Sequence, residues 1–271
     1  MARVLIYRHP TSITANAIGK EIPRSQVRVK TRLASKRFVV CYGQSHELGG
    51  LNASLVGNKM GEHDRLEGAG VNVPKFHRRK GDVGQFPVLG RRFQHTRGND
   101  IVVINNQREL NADRSQFWSQ YIDKHSEYRI HVLGEEVVSV AKKIKESDSA
   151  DEFVWNRHRG WRQIEYNGMF KERLIAESIK AVRAVGYDFG AVDIVLDQSQ
   201  SPYVPVVLEV NSAPSLNERR TVLYSDYFIA ASQDKTGLYC RECGVRMTWH
   251  DRAGREMYGC SGCGYGAIGD E

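Results

Sequence analysis

Two late apolar runs carry polar residues that an ordinary core strand does not need: Asp193 in GAVDIVLD, and Glu209 with Asn211 in VVLEVNSAP. Side chains alternate along a strand, so Glu209 and Asn211 share a face, and a neighbouring strand can bring Asp193 beside them. Three hard oxygen donors on one face suit magnesium, which takes one or two protein carboxylates and completes its shell with water and nucleotide phosphates. A lone strand acid is ordinarily a solvated residue of an outer face. The joint pattern across two successive runs is not explained that way.

A second constellation closes the chain. Cys240 and Cys243 are separated from Cys260 and Cys263 by a 16-residue spacer. Each CxxCG turn can aim two thiolates at one ion, and four soft ligands in a closed tetrahedron indicate structural zinc. An iron–sulfur centre or redox dithiol is the alternative for four thiols, but the paired turns and the intervening hairpin (MTWH, turn DRAGR, EMYG) favour zinc. Such a module is too small to hold a core without metal. His250 in the spacer is not expected to be a ligand. Arg241, Arg246, Arg252, Arg255, Trp249, Tyr258 and Tyr265 offer basic and aromatic contacts to a nucleic-acid or protein partner, or simply decorate a solvated scaffold. Cys41 stands alone in the apolar run FVVCYG.

These groups must be positioned by a mixed set of elements. RVLIYR (3–8) and RFVVCYG (37–43) read as strands of a small N-terminal α/β unit, with an irregular basic stretch between them that matches no motif. Residues 52–73 read as a helix ending at Gly68 or Gly70, before Pro74 opens an extended segment. Strands follow near 86–91, 101–104, 117–122, 128–133 and 136–144, the last two joined by a tight turn at Gly134 and Glu135. Leu174, Ile175, Ile179, Val182 and Val185 recur at helical spacing over 171–185, with Gly186 as a stop. Strands at 190–196 and 204–210 complete an α+β arrangement with a largely antiparallel sheet.

The 271 residues, 41% hydrophobic and 26% charged, suit a globular protein. No run approaches a membrane span and no signal-peptide organisation opens the chain, so the expectation is a cytoplasmic protein with no membrane partner. In that setting paired cysteines are metal ligands rather than disulfides. A net charge of +7 favours an acidic partner, whether nucleotide phosphates or nucleic acid. His9, His46, His63, His77, His95, His125, His131 and His158 are scattered without metal-ligand spacing.

VDIVLD and VLEVNSAP resemble the paired motifs of the ATP-grasp superfamily, D-[IV]-[IV] followed by L-E-[VI]-N-x-x-P. The likeness extends over roughly Asn52 to Leu216. NKMGEHDRLEGAGVNVPKF is similar to the family's linker helix, with Lys59 at the conserved lysine position, and FPVLGR to its P-x-V-x-K strand, with Arg91 replacing lysine. That exchange keeps charge but substitutes a planar fork for a point charge. The phosphate-covering loop falls at QHTRGNDIVVI and holds only Gly98. Gln120, Tyr121 and Ile122 match the adenine hinge, and Arg129 an arginine that faces the phosphates. Lys143 matches a second basic residue, with Lys142 the alternative if the register shifts by one. Asn156 and Gly160 in VWNRHRGW resemble a loop of the glutamate-ligase branch, which also contains His158.

The resemblance implies an ATP-grasp fold of two α+β subdomains clasping ATP, preceded by the small N-terminal unit and followed by the zinc ribbon. The expected divisions are 1–51, 52–230 and 236–271. It implies ATP contacts at Lys59, Arg91, Gln120, Tyr121 and Ile122, magnesium at Asp193, Glu209 and Asn211, and catalytic roles for Arg129, Lys143 and Asn156. The implied reaction is ligation: a carboxylate attacks the terminal phosphate of ATP, and an amine displaces phosphate from the acyl phosphate. Positioning and electrostatics suffice for such chemistry, and no covalent nucleophile is needed. The competing readings are a nucleic-acid-binding zinc-ribbon protein whose grasp domain has lost catalysis, and an ATP-grasp kinase that leaves the phosphoryl group on a hydroxyl.

Overall fold

A computed structural model describes residues 4–28, 38–45, 50–53, 55–93, 101–169 and 171–233, and the backbone of 247–252, 255–260 and 266–268. The first sheet is parallel: β1 (Val4–Tyr7) lies between β2 (Gln26–Arg28) and β3 (Phe38–Cys41). Helix α1 (Ile13–Glu21) makes the crossover between β1 and β2, and the Ser12 side chain caps its N-terminus by accepting from the Ala15 N–H. Neither α1 nor β2 is anticipated above: α1 is short and buries only Ala15 and Ile18, and β2 lies inside a run of charges.

Helix α2 (Lys59–Gly68) is shorter than the 52–73 expectation. It starts only at Asn58, whose side chain accepts from the Gly61 N–H at 2.8 Å. The residues before it are tied elsewhere: Asn52, at φ +53, is fully buried. Its side-chain oxygen accepts from the Asp188 N–H at 2.7 Å and its amide donates to the Phe189 carbonyl at 2.9 Å. Asparagine is among the few residues other than glycine that adopt this left-handed backbone, and here these two long-range bonds hold it in place.

After α2 comes a four-stranded antiparallel sheet in the order β4-β7-β5-β6, formed by β4 (Phe76–His77), β5 (Val88–Arg91), β6 (Val102–Ile104) and β7 (Phe117–Gln120). Short helix α3 (Gln107–Ala112) joins the last two, and Val88, Ile104, Leu110 and Trp118 fill a small core.

The largest sheet has five antiparallel strands in the order β10-β9-β8-β11-β12. These are β8 (Lys124–Leu133), β9 (Glu136–Lys145), β10 (Trp161–Glu165), β11 (Phe189–Asp197) and β12 (Val204–Asn211). Helix α4 (Lys171–Ala184) covers one face, where Tyr128, Ile130, Val132, Leu174, Val182 and Val207 belong to the main core. At one end of the opposite face, Leu133 and Phe189 join β1, β3, α1 and helix α5 (Glu218–Gln233) in a second core containing Tyr224 and Phe228. The rest of that face carries the polar residues singled out in the sequence.

Near the C-terminus, β13 (Met247–Arg252), β14 (Arg255–Cys260) and β15 (Gly266–Ile268) form a three-stranded antiparallel sheet. The β13–β14 pairing spans the expected hairpin. Cys240, Cys243 and Cys263 lie outside the described residues, as do Gly98, Arg241, Arg246 and Tyr265, while Cys260 ends β14.

Candidate active site

The polar face is organised in rows across the strands. Arg129 on β8 stands opposite Asp193 on β11, and Asp193 opposite Glu209 on β12. Between Asp193 and Ile194 the β11–β12 register slips: Ile194 pairs with Val207 but Asp193 with Glu209, so Leu208 is an extra residue. This bulge sends Leu208 and Glu209 to the same face, while Val207 and Val210 both enter the core under α4. Val206 and Leu208 can therefore join Ile122 and Val195 in an apolar patch immediately beside the acids.

Arg129 holds Asp193 with two parallel bonds, Nε to Oδ1 at 2.7 Å and Nη2 to Oδ2 at 2.6 Å. The adjacent Asp193 charge raises the Arg129 guanidinium above its ordinary range, outweighing burial. Lys59, at the first turn of α2, reaches Glu209 at 2.9 Å and Glu62 at 3.5 Å. Its ammonium holds the Glu209 carboxyl well below the usual carboxylate range, against the opposing effect of burial. Asn211 donates to the other Glu209 oxygen at 2.9 Å. Glu62 accepts from the Val210 N–H at 2.9 Å and so pins α2 to β12, although burial raises its own pKa.

One row towards the apolar patch, Glu127 on β8 is buried between Lys143, its short-contact partner, and Lys124 at 3.2 Å. Burial works to raise its pKa, but the two ammonium groups bring it below the ordinary value. Lys143 also donates to the Trp155 carbonyl at 2.5 Å, and Lys124 to the Phe153 carbonyl at 2.7 Å. These bonds seat the loop containing Asn156 near the hinge, where Tyr121 packs edge-on against Phe153 at 5.2 Å. Gly160 closes that loop at φ +84, and a Cβ there would lie 2.9 Å from Ala150. Lys142 points to the opposite face, over the Tyr166 ring, which leaves Lys143 as the site-facing lysine.

Arg91 enters from β5 of the other sheet. Burial lowers its pKa, while the charges of Glu209, Glu127 and Glu62 oppose that effect, so this guanidinium lies within electrostatic reach of all three carboxylates. Among the described residues its Nε is buried without a hydrogen-bond partner. A buried donor of this kind costs about 1–3 kcal/mol if left unpaired. It suits a ligand with anionic oxygens.

The structure thus brings together Lys59, Arg91, Arg129, Asp193, Glu209 and Asn211, with Lys143 one row away and Gln120–Ile122 linking β7 to β8. Glu62 and Glu127 are absent from the sequence expectations. Alternation of Glu127, Arg129 and His131 along β8 is the signal that could have found the latter; Glu62 left none, since it resembles any exposed helix glutamate. Among the described residues no group of three or more His, Cys, Asp or Glu side chains is arranged to hold a metal. Two carboxylates and an amide oxygen nonetheless fit magnesium, which needs no more from a protein when phosphates share it.

An antiparallel sheet joined by a short hinge to a second one, with cations from both facing the same carboxylates, is the ATP-grasp architecture, and the likeness to solved structures bears this out for the fold. D-alanine–D-alanine ligase from Bacillus anthracis superposes with a TM-score of 0.61 at 14% identity, covering 86% of this chain and 98% of that one. The macrocyclase MdnC from Microcystis aeruginosa MRC, bound to its precursor peptide, superposes with a TM-score of 0.59 at 11% identity over 84% of this chain and 99% of that one. Residues 75–227 match the RimK-like ATP-grasp domain, and the chain belongs to that family. Among curated relatives, a probable alpha-L-glutamate ligase of Parasynechococcus marenigrum is 28% identical over 179 residues, 62% of this chain and 34% of the relative. One from Legionella pneumophila strain Corby is 27% identical over 49% of this chain and 45% of its own length. The chain thus spans between a third and a half of these relatives.

Proposed function

We propose that this protein is an ATP- and magnesium-dependent ligase that joins a carboxylate to an amine through an acyl phosphate. The observation that carries the reading is the convergence of Lys59, Arg129 and the buried, unpartnered Arg91 Nε on the row holding Asp193, Glu209 and Asn211. Names of relatives agree with it: several are probable alpha-L-glutamate ligases.

In this reading the adenine lies on Ile122, Val195, Val206 and Leu208, with Gln120 and Tyr121 at the hinge backbone. Lys59 and Arg91 bind the phosphates. Asp193, Glu209 and Asn211 hold magnesium, which supplies charge neutralisation of the phosphates when bound. Arg129 is shared between Asp193 and the oxygens of the transferred phosphoryl group, where its fork offsets the charge that develops as the substrate carboxylate attacks. Lys143 and Asn156 complete the wall on the hinge side. The attack breaks the terminal P–O bond and ADP leaves with its electron pair; an amine then attacks the acyl carbon, phosphate leaves with the electron pair of the C–O bond, and the amine nitrogen gives up a proton to solvent.

The four cysteines form a zinc ribbon in this proposal. The CxxC spacing and the antiparallel β13–β14 hairpin across the spacer support it. The module recruits a macromolecular substrate, protein or nucleic acid, in a reducing, cytoplasmic setting. None of the described helices is long and apolar enough to cross a membrane.

The test is magnesium-dependent ATP binding and phosphate release by wild type and by the Glu209→Ala, Asn211→Ala double variant, with zinc content measured on the same preparation. Binding by wild type alone, with free phosphate released when carboxylate and amine are both present, is the expected result. Equal binding by both proteins overturns the magnesium assignment, and phosphate retained on an acceptor hydroxyl identifies a kinase instead.

A further inference from the structure

Helix α2 is held on the side of the five-stranded sheet at three points. Lys59 reaches Glu209 at 2.9 Å, Glu62 accepts from the Val210 N–H at 2.9 Å, and Arg65 donates to the carbonyl of Val185, just past the end of α4, at 3.0 Å. Buried His63, on the same helix, reaches the four-stranded sheet instead. Its ring lies flat on Phe76 of β4, with centroids 3.9 Å and planes 12° apart, and its Nε2 donates to the Pro74 carbonyl at 2.9 Å. A carbonyl can only accept, so this bond places a hydrogen on Nε2 and fixes the orientation of the ring.

From Phe76 the stacking runs across the small sheet. Phe76 packs on Phe117 of β7 at 5.5 Å, and Phe117 on Phe93 at 5.6 Å, with interplanar angles of 28° and 21°. Strand register links this column to the site. Phe117 stands directly opposite Arg91 on β5, and the Gln116 N–H donates to the Arg91 carbonyl at 2.8 Å. Phe76 pairs with Ser119, two residues from Phe117, so alternation puts Phe76, Phe117 and Arg91 on one face of the sheet. Val88, Ile104 and Trp118 take the other face, in the small core.

Arg91 meets the carboxylates of the facing sheet only where the tilt of the small sheet puts it. Strand β4, two residues long, is the edge that α2 grips. Just beyond it Arg78 pairs with Asp64 of α2, but those side chains are 61% and 51% exposed, and an exposed pair holds position weakly. The buried His63–Phe76 stack carries the grip. We infer that His63 is a positioning residue: through Phe76 and Phe117 it holds Arg91 in line with Lys59 and Glu209, so that the guanidinium meets phosphate oxygens already aligned. This rests on the ligase reading above and deepens it, naming a side chain that sets phosphate binding without itself contacting nucleotide.

The experiment measures the affinity of the full chain for a non-hydrolysable ATP analogue with magnesium, and chemical denaturation in parallel. It compares wild type, His63→Gln, His63→Phe, Arg91→Met, and each His63 variant combined with Arg91→Met. Phenylalanine keeps a ring to lie on Phe76 and loses the Pro74 bond, whereas glutamine keeps a donor and loses the ring. His63→Gln should weaken analogue binding by about 5- to 10-fold, and His63→Phe by no more than about twofold. In the Arg91→Met background His63→Gln should change affinity by less than about twofold, while its effect on the denaturation midpoint is the same as in wild type. A merely structural contact would act on affinity equally in both backgrounds. Phe76→Leu breaks the column one ring further along and should repeat the pattern, so it serves if His63→Gln does not fold. Unchanged affinity in His63→Gln, a loss that persists in the Arg91→Met background, or an equal loss in His63→Phe overturns the inference. A wild type that does not bind the analogue brings down the ligase reading itself.

Discussion

Arg129 and Asp193 face each other across neighbouring antiparallel strands and share two hydrogen bonds, at 2.7 and 2.6 Å. Asp193 is the more buried partner, with its side chain 8% exposed against 21% for Arg129. Removing the carboxylate leaves a largely buried guanidinium without its counter-charge, and Asp193→Ala is expected to lose about 3 kcal/mol in chemical denaturation. The apolar pair Arg129→Met, Asp193→Leu should recover most of that loss while abolishing nucleotide turnover. Stability and activity thereby separate at one contact.

Leu208 tests the bulge. Deleting it restores regular pairing between β11 and β12 and leaves Val206, Glu209 and Asn211 alternating with Val207 and Val210, so Glu209 stays opposite Asp193. What is lost is the apolar surface that Leu208 adds beside the acids. Magnesium-dependent ATP binding should survive in the deletion variant with weakened affinity, as in Leu208→Ala, which keeps the bulge and loses the same contact. Calorimetric titration with a non-hydrolysable ATP analogue compares the two, and loss of binding in the deletion variant alone would show that the bulge itself shapes the site.

Arg91 is expected to cost stability and serve binding. Its buried Nε has no partner among the described residues, so Arg91→Met should be as stable as wild type or more stable by about 1 kcal/mol. ATP affinity should fall about tenfold or more, as expected for loss of a charge-assisted contact. A variant that loses stability and keeps ATP affinity would assign Arg91 a purely architectural role.

Two buried groups set opposing slopes of stability against pH. Burial pushes the Asp188 carboxyl up to about 7, partly countered by the Asn52 N–H, so in the fold it binds a proton that the unfolded chain releases near pH 4. Its contribution is greatest in acid and is lost as pH rises from about 4 to 7. Burial, with Arg220 and Arg129 nearby, pushes His131 down to about 3. Its contribution is complete above about 6.5, the ordinary histidine value, and is lost as pH falls towards 3. Between about pH 4 and 6.5 the two nearly offset each other. In Asp188→Asn the denaturation midpoint should rise from pH 5 to pH 8 more than in wild type, and in His131→Asn it should fall over that interval.

The chemistry of this site was more legible than its scaffold. Asp193, Glu209 and Asn211 stood out because carboxylates interrupt β-branched runs, and simple alternation placed Glu209 with Asn211. The slip at Leu208 was not legible, since a bulge depends on which strand pairs alongside and leaves no mark of its own in VVLEVN. Helix α4 was readable from its spacing, with its start at Lys171 and its stop before Gly186. Helix α5 was not: its buried stripe of Arg220, Thr221, Tyr224, Ser225, Phe228 and Ser232 is mostly polar, which blurs the apolar periodicity. Missing α5 hid Arg220, which reaches the polar face only because α5 crosses the end of the sheet. Likewise β10 reads WRQIE with only Trp161 buried, an edge-strand pattern with little hydrophobic signal.

The second core has a mechanical consequence. Leu133 and Phe189 at the end of the five-stranded sheet pack with β1, α1 and α5, and Asn52 is stitched to Asp188 and Phe189 by hydrogen bonds from both sides. The parallel sheet and the five-stranded sheet therefore move as one block. The four-stranded sheet is attached to that block by two crossings of the chain, one leaving α2 for β4 and one running through Tyr121–Asp123 into β8. Those two crossings are its covalent tethers, so a rotation of the small sheet about them would leave the row from Arg129 to Glu209 undisturbed.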